Sequence, residues 1–214
     1  KHIGQVMLAF GILFVGLNTM GAALKPLGQS QAFKDLLLSI KDVPVLGLIA
    51  GTLTTMAVQS SSASIGLLQS LSRVAIDAEG TPLVSLYQAI PILLGSNIGT
   101  TITAILASIG AKRNAKRAAL AHTVFNVTGS LICMVLLVPF TRLIEKILLA
   151  VGNTMLPDSA SGVSDMLTPM AEDMMTGIAI SHTTFNVANT LVWIPLIPIM
   201  VVLIRFFIRG EDPA

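Results

Sequence analysis

The sequence predicts an all-α integral membrane protein, and three observations predict it. Of 214 residues, 53% are hydrophobic and 11% charged, against about 25% charged in an ordinary soluble domain. Mean hydropathy is +0.82, more apolar surface than a water-soluble chain of this size can hide. Apolar stretches of bilayer length recur along the chain, and the charges cluster between them. A net charge of +2 gives no basis for nucleic-acid binding. The single cysteine, Cys133, lies in an apolar run with no disulfide partner and no metal-ligand spacing.

Taken in order, Val6 to Leu24 is a continuous apolar run of one bilayer thickness. Val43 to Ser72 is uncharged but punctuated by Pro44, Gly47, Gly51 and the run Gln59-Ser60-Ser61-Ser62. At about 30 residues it is too long for one straight span and too short for two. A re-entrant hairpin turning at Gln59 to Ser62 is expected. Leu83 to Ala111 is also uncharged and is interrupted at Gly95-Ser96-Asn97-Ile98-Gly99-Thr100-Thr101. A broken spanning helix, unwound around Ser96 to Thr100, is expected there. Ala118 to Thr141 and Met174 to Ile204 read as ordinary spans, the second kinked by Pro195 and Pro198. The predicted organisation is a transport repeat over 1–141, an extramembrane loop over 142–173, and a final span with a cytoplasmic end over 174–214.

Charge sets the orientation. Lys112, Arg113, Lys116 and Arg117 follow the third stretch, and Arg205 and Arg209 follow the last. Asp158, Asp165, Glu172 and Asp173 occupy the loop between the fourth and fifth. The positive-inside rule puts the basic groups in the cytoplasm and the acidic loop outside. Four spans and one hairpin then leave both chain ends in the cytoplasm, with Lys25, Lys34 and Lys41 outside. The chain opens on Lys1 with no signal-peptide pattern, and a fragment or a processed chain is expected.

Broken backbone at membrane depth is tolerated only where it is buried in protein or lines a cavity, and interruptions of this kind mark binding sites. A half-helix starting near Ser61 presents unpaired N–H groups and the positive end of its dipole. With the hydroxyls of Ser60, Ser61 and Ser62 it forms a cradle for an oxyanion. The preceding half-helix ends in free carbonyls that suit a small cation such as sodium. Gln59 and Asn97 can donate or accept, and Thr100 and Thr101 add hydroxyls. Neither interrupted segment contains Lys, Arg, Asp or Glu. An anion there lacks a fixed countercharge, so sodium is expected to bind with it. Thr55, Ser96, Asn126 and Asn186 are supporting candidates. Sodium itself is assigned to Gln59, Ser60, Ser61 and Asn97.

His122-Thr123-Val124-Phe125-Asn126-Val127 recurs as His182-Thr183-Thr184-Phe185-Asn186-Val187, matching at five of six positions. Each copy is expected near a helix start, with its polar side chains bonding a neighbouring helix.

Thr54-Thr55-Met56-Ala57-Val58-Gln59-Ser60-Ser61-Ser62-Ala63 followed by Gly95-Ser96-Asn97-Ile98-Gly99-Thr100-Thr101-Ile102-Thr103-Ala104 resembles the type II sodium/phosphate cotransporter family. Phe14 to Leu27 and Lys112 through Asn126 are similar to its bacterial branch. The resemblance implies two inverted repeats, each with a Gln-Ser-Ser-Ser hairpin, meeting around phosphate and sodium. It also implies alternating access in a cell inner membrane, with no enzymatic cofactor. Carried onto this sequence, Gln59, Ser60, Ser61 and Ser62 become substrate and sodium contacts, and Asn97, Thr100 and Thr101 line the same site. Only one such hairpin occurs here, so the chain corresponds to the second repeat and the helices after it. A missing N-terminal repeat or a second chain is expected to complete the site.

Two other classes compete. An intramembrane serine hydrolase needs one singled-out nucleophile beside a base; three consecutive serines single out none, and the Gly-x-Ser-x-Gly elbow is absent. An accessory or half-transporter subunit, or a carrier of another small oxyanion, fits the same residues.

Overall fold

The computed structural model describes residues 2–24, 39–40, 43–159 and 161–210. The expected outside placement of Lys25, Lys34 and Lys41 falls on residues outside these. The chain is mostly helical: α1 His2–Leu24, α2 Pro44–Val58, α3 Ser61–Ser72, α4 Leu86–Ser108, α5 Arg113–Val135, α6 Leu137–Ala150 and α7 Met174–Phe207. A two-stranded antiparallel ribbon, β1 Met155–Pro157 and β2 Leu167–Pro169, pairs Leu156 with Thr168. Among the described residues α4, α5 and α7 are long and apolar enough to cross a membrane.

The core is built around α4. Its Leu86, Ile90, Leu93 and Leu94 pack with Ile144 and Leu148 of α6, and with Met174 and Ile178 of α7. The start of α4 is fixed twice. Ser85 and Gln88 form a capping box, with Gln88 N–H donating to Ser85 Oγ at 3.4 Å and Ser85 N–H to Gln88 Oε1 at 3.0 Å. Leu86 N–H donates to Thr168 Oγ1 at 3.0 Å, which ties α4 to the ribbon.

The unwinding expected around Ser96 to Thr100 is not there: α4 is continuous from Leu86 to Ser108. The reason is packing. A Cβ on Gly51 would overlap the Ile92 carbonyl, one on Gly95 the Leu48 carbonyl, and one on Gly99 would lie 2.5 Å from the Thr52 carbonyl. The glycines bring two helix backbones together, as small residues do between membrane helices. Thr52 Oγ1 shares its proton between Leu48 O of its own helix, at 2.8 Å, and Gly95 O across the seam, at 3.1 Å. Contacts rise in register, from Gly47 against Pro91 to Gly99 against Thr55, so α2 and α4 run parallel.

The expected span over 118–141 is also corrected. It is two helices divided at Leu136, whose φ of −95° and ψ of 21° leave the helical region. Pro139 has no N–H to offer the Val135 carbonyl, so α5 ends there and α6 begins with proline in its first turn. Residues 142–173 hold the rest of α6 and the ribbon. The last helix extends to Phe207, through Pro195 and Pro198.

Charge separates along the bundle. Arg117, at the start of α5, donates to Ile208 O at 3.0 Å and to Gly210 O at 2.6 Å. The 112–117 and 205–209 basic groups therefore share one end. Thr168 on Leu86, and Ala171 N–H donating to Gly80 O at 2.9 Å, bring the ribbon and the 73–85 loop to the other. That second end carries the acidic residues of the 153–173 segment.

Candidate substrate and ion site at a helix break

The helix stops at Gln59. This residue sits in the left-handed region, with φ 56° and ψ 25°, and its N–H donates to Thr55 O at 2.7 Å to close α2. A non-glycine residue there costs about 1–2 kcal/mol, so the turn is imposed by its surroundings. Ser60 follows in extended conformation and caps α3, its Oγ accepting Ala63 N–H at 3.2 Å. The Ser60 carbonyl accepts Ser64 N–H and Ser64 Oγ, each at 3.1 Å.

The two arms fold back on one another. α2 runs parallel to α4, while α3 leads into the 73–85 loop, and Gln69 Nε2 donates to Met175 O at 3.1 Å near the start of α7. Both outer ends of the α2–α3 pair thus lie at the acidic end of the bundle, and the Gln59–Ser60 turn lies in its interior length. By register, with Thr55 against Gly99, the turn is level with the Thr100–Thr103 turn of α4. Gln59 and Ser62 are exposed, and Ser60 and Ser61 half-buried.

Across the seam the hydroxyls of α4 are turned inward on their own helix. Thr100 Oγ1 donates to Ser96 O at 2.8 Å, Thr101 Oγ1 to Ile98 O at 2.8 Å, and Asn97 Nδ2 to Leu93 O at 3.2 Å. The single hydroxyl protons of Thr100 and Thr101 are committed, so those two oxygens retain only accepting lone pairs, which the Asn97 amide oxygen also offers. Two more hydroxyls stand out. Thr55 Oγ1 and Ser96 Oγ are buried with no hydrogen-bond partner among the described residues. Each leaves a desolvation cost of about 1–3 kcal/mol uncompensated by protein. Among the described residues no cluster of His, Cys, Asp or Glu could hold a metal. The available cation ligands are neutral oxygens, the set suited to an alkali cation.

The repeated His/Asn motif plays a different part from the one expected. His122 and His182 lie more than two turns inside α5 and α7, not near their starts. Asn126 donates to His122 O at 2.9 Å and Asn186 to His182 O at 2.8 Å, each within its own helix. The helix-to-helix bond is made three residues later: Asn189 Nδ2 donates to Phe125 O at 3.1 Å, and a Cβ on Gly129 would strike that amide. Gly129 and Asn189 occupy equivalent places in the two copies, so the repeat packs against itself. Ser130, donating to Leu94 O at 3.1 Å, ties α5 to α4. Thr52, Ser130 and Asn189 were absent from the sequence reading; the four-residue spacing of Gly47, Gly51 and Thr55, and of Gly95 and Gly99, is the signal that leads to the first.

Residues 20–157 match the family model described as Na+/Pi-cotransporter. The chain belongs to the Na+/Pi-cotransporter family. Within and around this family it is 31% identical to the uncharacterized protein YqeW of Bacillus subtilis (strain 168), over 99% of the chain and 59% of that protein. It is 38% identical to the human sodium-dependent phosphate transport protein 2B, over 50% of the chain and 15% of that protein. It is 36% identical to the mouse sodium-dependent phosphate transport protein 2A, over 62% of the chain and 20% of that protein. The chain spans little more than half the length of the bacterial relative and a fifth or less of the mammalian ones. No solved structure matches it. The family and the apolar helices identify a membrane protein.

Proposed function

We propose that the chain carries one half of a sodium-coupled inorganic phosphate transporter, working by alternating access in the cell inner membrane. The α2–α3 pair is a re-entrant hairpin entering from outside, and both chain ends are cytoplasmic. The observation that carries this reading is the helix break at Gln59–Ser60, which opens the N-terminus of α3 beside the oxygen-rich face of α4. The first N–H groups of α3, at Ser61 and Ser62, with the serine hydroxyls and the Gln59 amide, receive the phosphate.

Proton placement moves sodium from the Gln59, Ser60 and Ser61 oxygens expected from sequence onto α4, and keeps only Asn97 of that set. Thr100, Thr101 and the Asn97 carbonyl oxygen present lone pairs and accept sodium, with Thr55 and Ser96 as hydroxyls in need of a partner. Sodium supplies the positive charge that neither segment contains. Exposure of Gln59 and Ser62, together with the partial coverage of relatives, supports a site completed by a further repeat or a second chain.

Radiolabelled phosphate uptake into proteoliposomes tests this. Uptake requiring an inward sodium gradient, and abolished in inserted Ser61→Ala and Gln59→Ala proteins, is the expected result. Cation-independent uptake points to a channel instead, and unchanged uptake in both variants removes the site. Uptake only when a longer partner is co-reconstituted identifies an accessory or half-transporter subunit. Competition by other tetrahedral oxyanions separates phosphate from its analogues.

A further inference from the structure

The corner between α5, α6 and α7 holds a cavity of about 350 Å³ away from the helix break. Cys133 of α5, Leu136, Pro139 and Leu143 around the start of α6, and Phe185 and Val192 of α7 line it. The amide of Asn189, also on its wall, already donates to Phe125 O. The walls suit a hydrocarbon and offer little to an ion or a sugar.

The helix above the cavity is amphipathic. Leu137, Thr141, Ile144 and Leu148 of α6 are buried, and Arg142 and Lys146 are exposed. Leu148 meets the same Gly177 that Leu86 touches, so α6 stays at the acidic end of the bundle. An amphipathic helix with cations on its outer face is the form that lies in a membrane interface. The cavity leads from beneath it toward the middle of α7. Arg142 is three residues beyond Pro139, and Lys146 three beyond Leu143, so both cations stand on the lip of the apolar wall. Arg142 is held by Ser164 O at 3.2 Å. The neighbouring carboxylate, Glu145, is buried, with Oε1 accepting Leu167 N–H at 2.8 Å.

We propose that this cavity holds one acyl chain of an anionic diacyl phospholipid, with the headgroup phosphate on Arg142 and Lys146. The cations one turn from the apolar lining complement the phosphate, and the guanidinium fork matches its oxygens. The tail then fills the space that the α5–α6 break leaves open.

Native mass spectrometry of the purified chain, offered equimolar phosphatidylglycerol and phosphatidylcholine, tests the assignment. One phosphatidylglycerol retained in preference by about tenfold is expected. Arg142→Gln with Lys146→Gln brings the two lipids to near parity. Ala188→Phe, which fills the cavity from α7, loses both lipids while helical circular dichroism stays unchanged. Equal retention by the unaltered chain overturns the proposal, as does an unchanged preference in the double variant or undiminished binding in Ala188→Phe. Displacement of the bound lipid by millimolar inorganic phosphate would assign the cations to free phosphate and overturn it too.

Discussion

The stretches 43–72 and 83–111 look alike on paper. Both are uncharged, glycine-bearing and rich in hydroxyls, yet one breaks and the other runs straight. The break occurs where Gln59 accepts a left-handed backbone and Ser60 caps the helix that follows. The straight helix spans the segment with two glycines, because each meets a carbonyl of α2. A glycine in a membrane helix thus marks either a bend or a close neighbour, and only the neighbour decides which.

The largest expected effect comes from filling the seam. Gly95→Ala drives a methyl into the Leu48 carbonyl and is expected to cost about 3–5 kcal/mol, measured as a collapse of thermal stability in detergent. Gly16→Ala, with nothing within 4 Å of its added methyl, is expected to raise stability by up to about 1 kcal/mol through helix propensity. Comparable losses at both positions would dissolve the distinction between seam and surface glycines.

Next comes the turn. Gln59→Gly keeps the left-handed backbone, and relieves its strain, while deleting the amide. Phosphate uptake is expected to vanish although the melting temperature holds or rises. Retained uptake would reduce Gln59 to a hinge. Thr100→Val on the straight helix removes one oxygen of the same shape. It is expected to raise the sodium concentration for half-maximal uptake about tenfold, with a stability change under about 1 kcal/mol. An altered phosphate affinity at saturating sodium would instead move Thr100 to the anion.

The smallest effect tests the acidic end, away from both stretches. Burial raises the Glu145 carboxyl above its usual value and Asp158 adds to this, while the Leu167 N–H and Arg142 pull it down. A raised folded-state value means stability is fully present below the unfolded value and is lost as pH rises through the folded one. Glu145→Gln is therefore expected to raise the melting temperature by about 2–4 °C at pH 8, the gap closing near pH 4. A gap independent of pH would assign the gain to packing.

Much of this was legible in the residues themselves. Gln-Ser-Ser-Ser in an uncharged stretch marks a helix end because capping is local chemistry, readable from a side chain and the N–H three residues on. The two basic clusters foretell a common end, and Arg117 on the α7 terminus bears that out. The course of α4 was not legible, since Gly95 and Gly99 answer to Leu48 and Thr52, more than 40 residues away. Pro139 was visible, but an apolar run on both sides concealed that it ends a helix. The partner of Asn189 was hidden likewise: its acceptor is a main-chain carbonyl, which no side chain announces.

The glycine seam has a mechanical consequence. Carbonyl groups of each helix sit against glycines of the other like the teeth of a closed zip, so sliding by a fraction of a turn would bring them against larger side chains. Whatever displaces the Gln59–Ser60 corner must carry the full length of α4 with it, and the compliant joint in this chain has to be sought on the α3 side.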